Sequence, residues 1–146
     1  MNNVTQSVQR ALHAYLYTNM DTLTFLEDPV QIYTSLLGQT AVVPNILLKC
    51  QRAPCTNSTE GMWKPRATIE LREAHDDTTE EEHFDHAGIL FGLFATATVA
   101  ADISESSPDP FTAFQLTRIE QGWRIDGRLW VSYLDLDLDC CTSDIA

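Results

Sequence analysis

The end of the chain carries its clearest pattern of hydrophobic and polar positions. Trp130, Ser132, Leu134, Leu136 and Leu138 alternate with Leu129, Val131, Tyr133, Asp135, Asp137 and Asp139. Alternation at period two predicts a strand with two unlike faces. The first set suits a core. The second passes from apolar at Leu129, Val131 and Tyr133 to acidic at Asp135, Asp137 and Asp139, which a face meeting only water does not require. That predicts a partner against its apolar half.

The rest of the chain yields a coarse order of elements. Val8, Leu12, Tyr15 and Leu16 stand at helical spacing, so Thr5 to about Asn19 predicts an amphipathic helix with Thr5 as N-cap. No single period survives from Asp21 to Pro44, which reads as a loop-rich excursion with short strands or turns. Asn45 to Arg52 predicts a compact apolar strand. Ala53 to Lys64 has turn composition and reads as a surface loop, after which Arg66 to Ala74 alternates again and can pair antiparallel with the preceding strand. Thr79-Glu80-Glu81-Glu82 has the order of a capping box, so Thr79 or Thr78 caps a helix reaching about Ala101, with Phe84, Phe91 and Phe94 buried against a sheet. Gly88 and Gly92 on that helix would admit another backbone. Phe111 to Glu120 predicts a strand, Gln121-Gly122 a turn, and Trp123 to Ile125 the start of a return. Asp126-Gly127 gives a second turn or bulge before the final strand.

These elements define an α+β fold in one domain over residues 1–146, with a single antiparallel sheet against which an N-terminal helix and a long second helix pack. A chain of this length buries roughly two-thirds of its unfolded surface, enough for one core. The net charge of −12 argues against a nucleic-acid-gripping surface, because acidic residues repel a phosphate backbone. No run reaches the ~20 apolar residues of a membrane span. The first residues lack the charged start and apolar run of a secretory signal, so Cys50, Cys55, Cys140 and Cys141 are expected to be reduced and unliganded. Adjacent cysteines suit one tetrahedral zinc ion poorly.

Candidate chemistry is sparse. His75, Asp76, Asp77, Glu80, Glu81, Glu82, His83, Asp85 and His86 form the one dense ionisable cluster. A metal reading uses His83 and His86, with Glu82 or His75 closing the site. The plainer reading is a solvated helix start whose acids oppose the dipole. No Gly-x-Ser-x-Gly elbow, phosphate loop or His-Glu-x-x-His motif occurs, so no catalytic residue, metal ligand or cofactor site is assigned. Trp130 falls in the core register, whereas Trp63 beside the polar loop is a candidate interface contact.

PNILLK at Pro44 to Lys49, RATIELRE at Arg66 to Glu73, the acidic helix start from Thr79 to Ala95 and the closing hairpin GWRIDGRLWVSYLDLDLD resemble the tail terminator (tail completion) proteins of long-tailed bacteriophages. The loop from Ala53 to Lys64 and the Cys140-Cys141 end lie outside the resemblance. It implies a non-enzymatic virion protein of the tail or neck, assembled in the host cytoplasm. Such a protein forms a hexameric ring that stops tube growth and joins the tail tube to the head connector. DNA would pass through without specific binding. Trp63, Leu129, Val131 and Tyr133 would then lie at a subunit or partner interface, and Asp135, Asp137 and Asp139 at an acidic lumen or rim.

Other readings stay open from the sequence. They are another head-to-tail connector or minor tail protein, a metal-dependent enzyme using His75, His83 and His86, and an acidic regulator that mimics DNA charge.

Overall fold

The computed structural model describes residues 4–26, 32–34, 42–51, 55–57 and 62–142. Much of the Asp21–Pro44 segment and of the Ala53–Lys64 loop, with the Cys55 side chain, falls outside them.

Helix α1, Val4–Thr18, buries Val4, Val8, Ala11, Leu12, Tyr15 and Leu16 along one stripe, as their spacing predicts. A 3-10 turn at Met20–Thr22 ends it. The short β1, Ile32–Tyr33, lies parallel to β2, Asn45–Gln51. Two short strands, β3 at Cys55–Asn57 and β4 at Met62–Trp63, pair antiparallel within the segment expected to be a surface loop. β5, Arg66–Ala74, is followed by helices α2, Glu80–Gly92, and α3, Val99–Ser106. The chain closes with the hairpin of β6, Phe111–Asp126, and β7, Leu129–Thr142.

All strands join one seven-stranded sheet in which β7 is the common member. It pairs antiparallel with β5 from Leu129 to Asp137, with β6 along the whole hairpin, and with β4 at Cys140. The fold is therefore α+β, with a mostly antiparallel sheet and one parallel pair at the β1 edge. Ala67, Ile69 and Leu71 of β5 stand opposite Leu136, Leu134 and Ser132 of β7, and Ile46 and Leu48 of β2 extend the same face. Leu12, Leu16, Leu90, Phe94 and Ile103 from the helical layer complete this core.

Several expectations need correction. The predicted long helix is two helices. Gly92 has high backbone freedom, and i to i−3 bonds at Leu93, Phe94 and Ala95 tighten the chain into turns before Val99 restarts it. Thr79 does cap α2, accepting from the Glu82 amide at 3.2 Å while the Glu82 carboxylate accepts from the Thr79 amide at 3.4 Å. Phe91 and Phe94 are buried but Phe84 is exposed, packed edge-on against Trp123 with ring centroids 5.3 Å apart. Gly88 and Gly92 have open space around them and no approaching backbone.

Gln121-Gly122 is no turn, because β6 runs through it unbroken. Gly122 serves a different purpose: a Cβ there would stand 2.3 Å from Tyr133 Cζ, so the Tyr133 ring occupies the space a side chain would need. The chain turns at Gly127-Arg128, where Gly127 has a φ of 60°. A left-handed first loop residue is what a type II′ hairpin turn requires.

Replacing Phe91 by Ala should cost about 3 to 5 kcal/mol in equilibrium urea unfolding, and Phe84→Ala less than about 1 kcal/mol. Equal losses would contradict the placement of these rings.

Candidate functional site

The residues singled out in β7 share the sheet face turned away from the helices, and most of them are engaged within the subunit. Asp135 accepts from the Thr68 hydroxyl at 2.7 Å, Asp137 accepts from Arg66 Nε at 2.7 Å, and Asp139 lies 3.3 Å from Lys64 Nζ. The hydrogen bond to Asp137, with its charge, also raises the Arg66 pKa. The acidic stripe is thus matched, carboxylate by carboxylate, by residues of β5 and of the segment just before it. Glu70 continues the pattern, accepting from Arg124 at 3.2 Å and lying 3.3 Å from Lys49 Nζ.

Val131 has no exposed surface at all. Its cross-strand neighbours on this face are Arg72 and Arg124, whose aliphatic stems can cover apolar surface while their charged ends stay wet. The expectation that an isolated subunit exposes Leu129, Val131 and Tyr133 as a trio is therefore corrected: Leu129 and Tyr133 are half-buried and Val131 is enclosed. Trp63 is half-buried as well, packed on the core opposite Cys140, and its indole N–H is enclosed without a hydrogen-bond acceptor.

Beneath the sheet lies a buried polar network that motif reading missed. Glu73 of β5 and His83 of α2 are both buried, and His83 Nδ1 contacts Glu73 Oε1 at 2.8 Å. His83 Nε2 meets Ser132 Oγ at 2.8 Å, and His86 Nδ1 meets Glu73 Oε2 at 2.7 Å. A carboxylate only accepts, so both imidazoles present Nδ1–H to it, and in neutral His83 the Nε2 then accepts from the Ser132 hydroxyl. Trp130 Nε1 donates to the Thr78 carbonyl at 2.9 Å, His75 packs on Trp130, and His86 stacks on Phe25 at 4.5 Å.

Ser132, His83 and Glu73 stand in the order nucleophile, base and orienting acid. Ser132 is only 2% exposed, which denies its oxygen the access that attack on a substrate requires. The network ties α2 to β5 and β7. A signal for it was present: Glu73 and Ser132 occupy core-facing strand registers, and His83 shares the buried helix face with Ala87 and Leu90. His83 and His86 converge on the Glu73 carboxylate, while His75 packs on Trp130. Among the described residues no group of three or more His, Cys, Asp or Glu is placed to hold a metal ion.

The unsatisfied surface lies on β6. Its only partner among the described residues is β7, which leaves the other edge of a 16-residue strand open, and no residue of β6 is buried. A register shift between Leu116 and Arg118 divides it. Beyond the shift, Ile119, Gln121, Trp123 and Ile125 stand opposite Leu136, Leu134, Ser132 and Trp130, on the core side of the sheet. Yet Ile119 is 44% exposed, Trp123 52% and Ile125 55%. With Phe84 they form an apolar strip at the rim of the core. Edge strands that resist association commonly turn charges inward; here the inward positions carry large apolar side chains.

Cys50 and Cys140 hold free thiols, and Cys141 Sγ lies 3.8 Å from Met62 Sδ. Burial pushes the Cys50 and Cys140 thiols up to about 12, with the charges of Cys141 and Asp139 adding to the effect at Cys140. No described helix is long and apolar enough to cross a membrane. Set against known proteins, the sequence matches no family model and no curated protein.

Two measurements check this account. Glu73→Ala leaves two imidazole N–H groups without their acceptor and should lower the free energy of unfolding by about 3 kcal/mol, read from urea curves. A loss below about 1 kcal/mol would mean that the network contributes little to stability. The thiols supply a pH dependence. Unfolded thiols lose their protons from about pH 9, whereas the folded ones keep them to about 12. Stability therefore falls as pH rises through this window, by up to about 1.4 kcal/mol per pH unit for the buried Cys140. Cys140→Ala should flatten that slope relative to the parent chain; an unchanged slope would contradict the shift.

Proposed function

We propose that this chain is a structural assembly subunit, and that its assembly is the ring which ends a phage tail and meets the head connector. The observation that carries the first part is the open edge of β6 with Ile119, Trp123 and Ile125 exposed on its core side. Large apolar side chains at the rim of a core lower the free energy when a neighbour removes them from water, at roughly 25 cal/mol per Å². The resemblance to tail terminators supports the second part, since the α+β subunit with helices on one side of a single sheet is what that resemblance implies.

The matched carboxylates refine how such a ring would pass DNA. Asp137 and Asp139 are each offset by a nearby cation, so repulsion of phosphates would rest on the net charge of −12 more than on an unpaired acidic stripe. In this reading the protein has no catalytic role, its partners are tail-tube and head-connector proteins, and the Glu73 network holds α2 rigidly on the sheet.

Native mass spectrometry and negative-stain microscopy of the purified full chain test the proposal. Self-association is expected, with closed sixfold rings as the assembled form. A chain that stays monomeric at every concentration reached would overturn the assembly role, and open or twofold-only assemblies would overturn the ring.

A further inference from the structure

We infer that the Arg118–Asp126 stretch of β6 pairs antiparallel with the same stretch of a second copy of this chain, about a twofold axis at Gly122. The inference rests on the reading of the chain as an assembly subunit and names the partner and register of its open edge.

The register shift before Arg118 marks where the regular stretch begins. Beyond it the strand is regular to the turn, with Ile119, Gln121, Trp123 and Ile125 on the core side and Arg118, Glu120, Gly122, Arg124 and Asp126 on the outer side. In an antiparallel pair, directly opposed residues point to the same side and interact as units. Centring the pair on Gly122 sets Arg118 against Asp126 and Glu120 against Arg124 of the second copy. The same register sets Ile119 against Ile125 and Gln121 against Trp123. Every charge then faces its opposite, and each exposed isoleucine faces another.

Neighbouring registers lose this match. An axis at Gln121 sets Arg118 against Arg124, an axis at Trp123 sets Glu120 against Asp126, and an axis at Glu120 sets that residue against itself. An axis at Ile119 runs Trp123 and Ile125 into the segment before the register shift. The stretch R-I-E-Q-G-W-R-I-D thus has its isoleucines placed symmetrically and its charges of opposite sign about its glycine, with Gln121 against Trp123. An isologous contact needs this self-complementarity, and an edge protected against pairing has no use for it.

The surroundings fit the same axis. The Tyr133 ring fills the space beside Gly122 on the outer side, so a bare backbone stands at the centre of the contact. On the core side, Phe84 packs against Trp123 and would bring α2 of each copy to the rim of the joined strip. Pairing satisfies the outward backbone groups of both edges and makes one sheet continuous through two copies, with strands about 4.8 Å apart.

A charge exchange at exposed positions tests the register. Arg118 and Asp126 both lie at the surface, with side chains 59% and 57% exposed, so substitution there leaves the core untouched. Sedimentation velocity of the full chain is expected to show association that strengthens with rising concentration, the twofold pair being a contact distinct from the head-to-tail contacts that close a ring. Arg118→Asp places two like-charge contacts in the pair and should weaken it about tenfold, as should Asp126→Arg, and the double exchange should restore it. Circular dichroism confirms that each variant is folded. Single variants that leave the pair unchanged, or a double variant that does not recover it, would overturn the pairing. Closed rings indifferent to the exchange would overturn it while supporting the assembly role, because a ring closes head to tail and a strand pair about a twofold. A chain monomeric throughout would overturn both.

Discussion

The fold depends on hydrogen bonding to one strand. β7 pairs with β5 on one side, with β6 on the other and with β4 near its end, so it joins β6 and the β3–β4 pair to the rest of the sheet. Because its side chains alternate, β7 also assigns the two environments of the sheet. Leu134, Leu136, Leu138 and Cys140 enter the core, while Asp135, Asp137 and Asp139 meet cations and a hydroxyl on β5 and its approach. Its neighbours differ in their fates. β5 is covered by β2 and α2, but among the described residues β6 pairs with β7 alone, and that asymmetry leaves apolar side chains at one margin of the core.

The helical layer explains why the margin stays open. α2 is fixed over β5 and β7 by the Glu73, His83 and Ser132 contacts and by the Trp130 indole bonded to the Thr78 carbonyl. A helix held there cannot also lie over Ile125 and Ile119. Only Phe84 reaches toward β6, meeting Trp123 edge-on. Rigidity at the buried network and exposure at the β6 rim are therefore two consequences of one placement.

Local patterns were legible where a local cause decides structure. Alternation located β7 and β5, spacing located α1, and the capping box located the start of α2. Long-range causes were not legible. Gly122 reads as a turn in isolation and is instead the residue that leaves room for Tyr133. Val131 reads as an exposed apolar position until the strands bring Arg72 and Arg124 beside it. The Glu73 network joins residues distant along the chain, and its trace was two polar residues in core-facing strand positions. The β6 edge escaped for a related reason: a break placed at Gln121-Gly122 cut the self-complementary stretch in two.

The central claim, that the open edge of β6 is an assembly surface, is tested most directly by residue-resolved amide hydrogen exchange on the full chain at low and high protein concentration. The account predicts that alternate amides between Arg118 and Asp126, those pointing away from β7, gain protection as concentration rises, while the amides of β7 stay protected throughout. Exchange along the β6 edge that is fast and independent of concentration would contradict it.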